Sequence, residues 1–147
     1  AGLRSDEISN FAIEGAECSH NLKYWRYEPF LGLGPSACSH IGAVRWCNKP
    51  AIEDWAVGLV PGGDPRGEVR ELTPEAGLRE ALISGLRMAR GVRARELGER
   101  FGIDVLEMFD REIGELRDEG LLDVEDGRLH IPGDKFLISN AVFSRFV

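Results

Sequence analysis

Residues 7–12 read Glu-Ile-Ser-Asn-Phe-Ala, residues 20–25 read His-Asn-Leu-Lys-Tyr-Trp, and residues 31–39 read Leu-Gly-Leu-Gly-Pro-Ser-Ala-Cys-Ser. The first segment, taken with Asp6, predicts a strand, because apolar and β-favouring residues recur in it before the next glycine. Residues 30–33 predict a second, short buried strand, which the following Gly-Pro ends. A loop dense in polar and aromatic groups therefore joins two strands, and such loops are frequent binding sites.

The middle segment places an imidazole, an amide, a phenol and an indole within six residues, a set that could grip a planar, partly polar ligand. The four candidate binding residues are His20, Asn21, Tyr24 and Trp25. His20 is the leading candidate, because neutral imidazole is a common iron ligand. The alternative is a loop histidine that hydrogen-bonds to backbone while the two aromatic rings fill core space.

These segments together resemble the C-terminal part of the HemN/HemW family, radical SAM proteins related to oxygen-independent coproporphyrinogen III oxidase. His-Asn-x-x-Tyr-Trp over 20–25 is similar to the heme chaperone branch, and residues 136–143 are similar to the closing helix of the family. The resemblance implies a cytoplasmic protein that binds heme at the four candidate residues and delivers it to cytoplasmic or membrane-side hemoproteins. It also implies S-adenosylmethionine and a 4Fe–4S cluster, bound mostly by an N-terminal radical SAM barrel.

Four further residues are candidate ligand contacts. At 37–39 the family usually shows Ala-His-Ser, and here Cys38 replaces that histidine. A thiolate can also ligate heme iron, and His40 lies two residues on, although residues two apart on a strand simply share a face. Glu7 and Asn10 stand in a predicted strand, where polar groups at the ends of barrel strands often meet ligands. Their alternative role is that of buried polar groups satisfied by neighbouring backbone.

Three widely spaced cysteines, at positions 18, 38 and 47, disfavour a disulfide framework and favour a reducing compartment. No Cys-x-x-Cys occurs, whereas a radical SAM enzyme holds its cluster with three closely spaced cysteines. We therefore expect the sequence to be the C-terminal piece of a longer protein, unable by itself to perform radical chemistry. No apolar run approaches the roughly 20 residues that span a bilayer.

The resemblance and the residue pattern together predict an α+β chain in three parts. Residues 1–48 are predicted to be the last strands of a radical SAM α/β barrel whose N-terminal part is missing, and they include a strand over 41–47. Residues 49–71 are predicted to form a helix over 50–59 and a Gly/Pro linker over 61–67. Residues 72–147 are predicted to form a mainly helical, winged-helix-like domain. Without the rest of the barrel, the first part is expected to expose an uncovered apolar face and to be poorly stable.

Capping and turn residues divide the third part into elements. Thr73-Pro74-Glu75 predicts a helix start and Gly91 its end. The other predicted elements are helices over 93–101, 104–119 and 134–146, and a hairpin over 121–131 that turns at Asp126-Gly127. In the last helix, Leu137 is expected to be available for packing with the neighbouring phenylalanines.

The sequence leaves two alternative functions open. One is oxidative decarboxylation of coproporphyrinogen III by a full-length protein, which the His-Asn-x-x-Tyr-Trp motif disfavours. The other is a winged-helix nucleic-acid module, which the net charge of −7 and the seven acidic and two basic residues of 104–119 oppose. Basic residues gather just before that helix and form either a patch for an acidic partner or heme propionates, or a solvated face: Arg87, Arg90, Arg93, Arg95 and Arg100.

Overall fold

The computed structural model describes residues 2–147, which form two compact units. One unit, here called the discontinuous unit, combines residues 2–27 with residues 74–147. The other, here called the central unit, comprises Glu28–Thr73. The division differs from the expected one at residue 48, because residues 2–27 group with residues 74–147. In chain order the elements are β1 (Arg4–Glu7), β2 (Asn10–Ala12), α1 (Ser19–Trp25), β3 (Cys38–Ile41), β4 (Val44–Asn48), α2 (Ile52–Gly58), β5 (Arg66–Glu71), α3 (Pro74–Leu86), β6 (Val92–Arg93), α4 (Ala94–Phe101), α5 (Val105–Met108), α6 (Asp110–Asp118), β7 (Asp123–Glu125), β8 (Arg128–His130), a 3-10 helix (Gly133–Ile138) and α7 (Ser139–Phe143).

The first strand prediction is wrong in its connectivity, because residues 6–12 turn back on themselves. β1 and β2 pair antiparallel, with an irregular register between Ser5 and Glu7. The hairpin is held to the segment after α3 by backbone hydrogen bonds. The amide of Ile8 donates to the carbonyl of Arg87 (3.0 Å), and the amide of Ala89 donates to the carbonyl of Asp6 (3.0 Å).

The helices of the discontinuous unit start and stop near the predicted residues, with one break. Gly102 ends α4 in the left-handed region (φ 71°), and the Asp104 carboxylate caps α5 by accepting from the amides of Leu106 and Glu107. The single helix predicted over 104–119 is wrong, since Phe109 (φ −117°, ψ 25°) separates α5 from α6. That ring is buried in the core, so packing overrides helical propensity there.

The predicted hairpin over 121–131 is confirmed as β7 and β8. Asp126 and Gly127 both have positive φ (49° and 72°), the requirement of a two-residue type I′ turn. β6 pairs with the other side of β8, which gives a three-stranded antiparallel sheet in the order β6-β8-β7. The core between this sheet and the helices is apolar throughout and includes Leu78, Leu82, Leu86, Phe109, Leu116, Leu122, Leu129 and Phe146.

The closing helix predicted over 134–146 is instead a 3-10 helix followed by the short α7. The prediction that Leu137 packs against the neighbouring phenylalanines is wrong, because Leu137 is 99% exposed. Phe146 lies beyond α7, fully buried, with its ring edge-on to Phe109 at 5.2 Å. The end of the chain is therefore anchored by this aromatic pair, and not by a regular helical face.

The central unit is an antiparallel β3-β4-β5 sheet with the helix α2. The helix predicted over 50–59 is confirmed, but the single strand over 41–47 is wrong, because the chain reverses at Gly42 (φ 60°). The prediction of a linker over 61–67 is also wrong at its C-terminal end, because β5 begins at Arg66. The last strands of a radical SAM barrel, expected over residues 1–48, are not confirmed: every named strand pair among residues 2–147 is antiparallel.

The central unit buries polar side chains and exposes apolar ones. Its buried side chains are those of Ser39, His40 and Asn48. The predicted buried strand over 30–33 is wrong, because Phe30 alone of these residues pairs, with His40, and Leu33 is 85% exposed. The other exposed apolar residues of the unit are Leu31, Ile41, Ile52, Val57, Leu59, Val60 and Val69.

Candidate functional site

The short helix α1 carries all four residues of the predicted binding motif, but on two faces. His20 and Tyr24 are four residues apart and therefore adjacent on the helix surface. Their rings meet edge to face with centroids 5.0 Å apart, and His20 is exposed. Asn21 and Trp25 occupy the neighbouring face and are half-buried. The helix thus presents an accessible imidazole whose orientation is supported by a phenol ring.

Trp25 is fixed against the segment that follows α3. The guanidinium of Arg87 lies 4.4 Å from the centre of the indole ring, a cation–π contact. The indole Nε1 is buried and has no hydrogen-bond partner within residues 2–147. A buried donor left unpaired is costly, so this N–H is suited to an acceptor supplied by a ligand.

Glu7 and Asn10 lie together at the β1–β2 turn. Glu7 is 1% exposed, and its Oε1 accepts a hydrogen bond from Asn10 Nδ2. Its other oxygen, Oε2, is buried without a partner in the described part of the chain. The neighbouring amide therefore satisfies one carboxylate oxygen of Glu7 and leaves the second as an acceptor.

Cys38 and His40 belong to the central unit. Our expectation that the cysteines form no disulfide is wrong: Cys38 faces Cys47 across the β3–β4 ladder, and the two are joined. As a disulfide, Cys38 offers no thiolate to a metal. His40 is 1% exposed, and its Nε2 donates to the carbonyl of Gly42 (2.8 Å). Its imidazole is thus engaged inside its own hairpin.

A cavity of about 380 Å³ lies beside Trp25 within the discontinuous unit. Glu96 is the one acidic residue of its lining. The apolar part of the lining includes Ala81, Met88, Val92 and Leu97. Five arginines complete it: Arg26, Arg90, Arg93, Arg100 and Arg128. A cavity with this charge and an apolar wall is suited to an amphipathic anion.

Backbone carbonyls hold two of these arginines in place. Arg128 donates to the carbonyl of Arg90 (3.0 Å), and Arg100 donates to the carbonyl of Arg26 (3.1 Å). Burial lowers the pKa of Arg90, and the nearby guanidiniums of Arg26 and Arg128 lower it further. The sequence pattern identified Arg90, Arg93 and Arg100 but missed the other two. They lie far away in the chain, so no local signal pointed to them.

Sequence reasoning also missed Tyr27. It is buried with a positive φ of 55°, and its hydroxyl donates to Glu80 Oε2 (2.9 Å). The guanidinium of Arg100 lies 5.2 Å from the ring centre. Tyr27 therefore joins the end of α1 to both α3 and α4, which positions the arginine side of the cavity.

The residues of this structure do not suit an iron–sulfur cluster. Cys18 is the one free cysteine, and the other two form the disulfide. Residues 2–147 contain no group of three or more His, Cys, Asp or Glu side chains arranged to hold a metal ion. Nor does any helix of these residues have the length and apolar character to cross a membrane.

Residues 72–133 match the family described as HemN C-terminal domain. Across 99% of its length the chain is 30% identical to the heme chaperone HemW of Bacillus subtilis, and across 97% it is 32% identical to that of Mycobacterium tuberculosis. The expected resemblance to the HemN/HemW family is confirmed. This HemN/HemW-like chain is also 30% identical, over 83% of its length, to a mitochondrial radical S-adenosyl methionine domain-containing protein 1 of Bos taurus.

The fold agrees with this relationship. The structure of coproporphyrinogen III oxidase (HemN) from Escherichia coli superposes with a TM-score of 0.75 over 99% of the HemN/HemW-like chain, at 17% sequence identity. At this identity the likeness shows a shared mixed helix and sheet fold. The chain spans 38% of the Bacillus relative and 37% of the solved oxidase. The activity of a whole protein of this family is therefore a matter for proposal.

Proposed function

We propose that this chain binds heme at α1 and acts within a HemW-like heme chaperone that delivers heme to hemoproteins. The observation that carries the proposal is the exposed imidazole of His20, held edge-on to Tyr24 in a motif similar to that of the chaperone branch. An exposed neutral imidazole can approach iron without displacing core packing. Asn21 and Trp25 would contact the edge of the macrocycle from the adjacent face of α1.

The other four candidate contacts differ in how readily they could reach a ligand. Glu7 and Asn10 lie in the same compact unit as α1, and Glu7 Oε2 is a buried acceptor without a partner among residues 2–147. Cys38 would require reduction of its disulfide before it could bind iron, and His40 would have to leave its hydrogen bond in the hairpin. We therefore give the iron-ligand role to His20.

Heme titration of the 147-residue chain tests this proposal. We expect a saturable shift of the Soret band in the wild type and its loss in His20→Ala. His130→Ala is the matched control, because His130 belongs to β8 and not to α1, and its ring is near Asp123 (3.6 Å). A folded His20→Ala chain that keeps the wild-type Soret shift and affinity would refute the assignment.

S-adenosylmethionine and a 4Fe–4S cluster form part of the proposal for a longer protein that contains this chain. The cluster would be held by cysteines outside this sequence, since the cysteines here do not suit it. The alternative, an oxygen-independent coproporphyrinogen III oxidase, predicts turnover of coproporphyrinogen III by that longer protein. Cytoplasmic residence belongs to the same proposal, although the Cys38–Cys47 disulfide is unusual for a reducing compartment.

The C-terminal part is proposed to be winged-helix-like and to serve in protein contacts. Its order of α3, β6, α4, α5–α6 and the β7–β8 hairpin, with β6 beside β8, supports that comparison. A nucleic-acid role is disfavoured by charge. The segment from 104 to 119 has seven acidic and two basic residues, a formal charge of −5, which would repel phosphate.

A further inference from the structure

The arginine-lined cavity concentrates positive charge in an acidic chain. Its lining has five positive and one negative side chains, a formal charge of +4, whereas the whole chain has −7. A neighbouring cavity of about 260 Å³ shares Arg26 and Arg90 but has three arginines and three acidic residues in its lining. Positive and negative side chains are therefore equal in number in the neighbouring cavity, whereas positive side chains are in excess in the cavity beside Trp25.

Backbone hydrogen bonds hold two of these arginines without neutralising them. Arg128 and Arg100 donate to backbone carbonyls, which are uncharged acceptors, and a guanidinium has five N–H donors. Arg93 has a carboxylate partner, Glu96, at 3.5 Å. Burial lowers the pKa of Arg90, the guanidiniums of Arg26 and Arg128 lower it further, and Glu17 and Glu96 act in the opposite direction. An anion bound in the cavity would offset the repulsion between these neighbouring guanidiniums.

The remaining lining favours a carboxylate on an apolar body over an inorganic anion. Ala81, Met88, Val92 and Leu97 supply apolar wall, and Trp25 adds an aromatic surface with a buried, unpartnered Nε1 donor among the described residues. Guanidinium forks match the two oxygens of a carboxylate. Trp25 follows His20 by five residues on α1, an axial rise of about 7.5 Å at about 1.5 Å per residue.

We infer that this cavity is a carboxylate site that receives the two propionates of the heme bound at α1. The inference rests on the proposed function for its ligand, but the cavity geometry supports the carboxylate chemistry independently. Arg90 and Arg128 would bind the carboxylates from one side, and Arg100 from the α4 side. Heme would then be held at two points, by its iron at His20 and by its propionates at the cavity.

Heme and heme dimethyl ester, added to the intact chain in the same solvent, test the inference directly. The ester keeps the iron and the macrocycle but lacks both negative charges. We expect the wild type to bind heme roughly 10-fold to 100-fold more tightly than the ester, the range of one charged hydrogen bond. The double variant Arg90→Gln/Arg128→Gln should lose that preference and bind both with similar affinity.

Arg95→Gln is the matched control, because Arg95 is exposed on α4 and paired with Glu99 (2.8 Å) outside the cavity lining. It should keep the preference for the free acid. Far-UV circular dichroism shows whether each variant is folded, and Arg90→Lys, which keeps the charge but not the fork, should retain part of the preference. Equal binding of heme and ester by the wild type would overturn the carboxylate site while leaving heme binding intact.

A calorimetric titration with citrate separates this inference from the proposed function. If neither porphyrin binds but citrate binds saturably and is lost in the double variant, the carboxylate site stands and heme binding fails. If citrate and both porphyrins fail to bind the folded chain, both proposals are refuted. Citrate binding that survives in the double variant would place the anion elsewhere and overturn the cavity assignment.

Discussion

Replacement of Gly91 by alanine should be far more harmful than the same change at Gly102. Both glycines have positive φ, 63° and 71°. A Cβ at Gly91 would lie 1.9 Å from the carbonyl oxygen of Leu129 and 2.6 Å from the Cβ of His130, whereas at Gly102 nothing lies within 4 Å. The clash at Gly91 involves the backbone of β8, which cannot rotate away as a flexible side chain could.

The two substitutions share every contribution except that clash. Alanine in the left-handed region costs about 1–2 kcal/mol, and reduced freedom of the unfolded chain returns about 0.4–1 kcal/mol, at both sites. Overpacking at Gly91 adds about 1–3 kcal/mol, because the β6–β8 pair must shift. We expect Gly91→Ala to lower the free energy of unfolding by about 2–4 kcal/mol and Gly102→Ala by about 1 kcal/mol.

Urea unfolding of the intact chain, followed by far-UV circular dichroism, measures both losses. Amide hydrogen exchange at Leu129 adds a local measurement, since its protection should fall in Gly91→Ala and stay near the wild-type level in Gly102→Ala. Equal destabilisation of the two variants would refute the reasoning. It would mean that the β6–β8 contact yields without cost or that the left-handed backbone accounts for the whole effect.

Three further predictions concern other parts of the chain. Asp104→Ala should cost about 1 kcal/mol in urea unfolding by removing the N-cap of α5, and exposed Asp118→Ala should be nearly neutral. Hydrogen bonds from Arg66 lower the pKa of Asp64 to about 2. The associated stability is present above about pH 3.8 and is lost as pH falls toward 2, and an NMR titration of Arg66→Gln should show the Asp64 pKa rising toward 3.8. In the unfolded, unreduced chain Cys18 alone should react with a thiol reagent, and reduction should raise the count to three.

Local rules predicted the C-terminal elements well, because the decisive residues act within a few positions. Asp104 caps the next helix, Gly102 ends the previous one, and Asp126-Gly127 forms the turn between β7 and β8. Each of these choices depends on backbone geometry that the residue itself imposes. The break at Phe109 was not predictable in the same way, since it follows from burial of that ring in the core.

The strands of the central unit were harder to predict because their patterns mislead. All six residues of β5 are exposed, so Arg66–Glu71 shows no burial of one face and resembles a linker. Ile41-Gly42-Ala43-Val44 is a continuous apolar run, yet it contains the turn between β3 and β4. Once that turn was missed, the pairing of Cys38 with Cys47 could not be predicted, because it depends on the hairpin register.

The candidate site likewise has one part that the sequence predicted and one part that it did not. His20 and Tyr24 were predicted as binding residues of a loop, whereas they lie four residues apart on α1 with their ring centroids 5.0 Å apart. The arginine cavity could not be predicted, because Arg26 and Arg128 are separated by about 100 residues of sequence and meet through tertiary packing. The cavity also has an excess of positive charge although the whole chain is acidic, so the composition gave no indication of it.

The discontinuous unit has a consequence for the order of folding during synthesis. Residues 2–27 leave the ribosome before their packing partners in α3 and α4, which follow only after the whole of 28–73. The hydrogen bond from Tyr27 to Glu80 closes a span of 53 residues, and that from Arg100 to the carbonyl of Arg26 one of 74. Contacts of such high contact order form slowly, so β1, β2 and α1 must wait as nascent chain while the central unit folds.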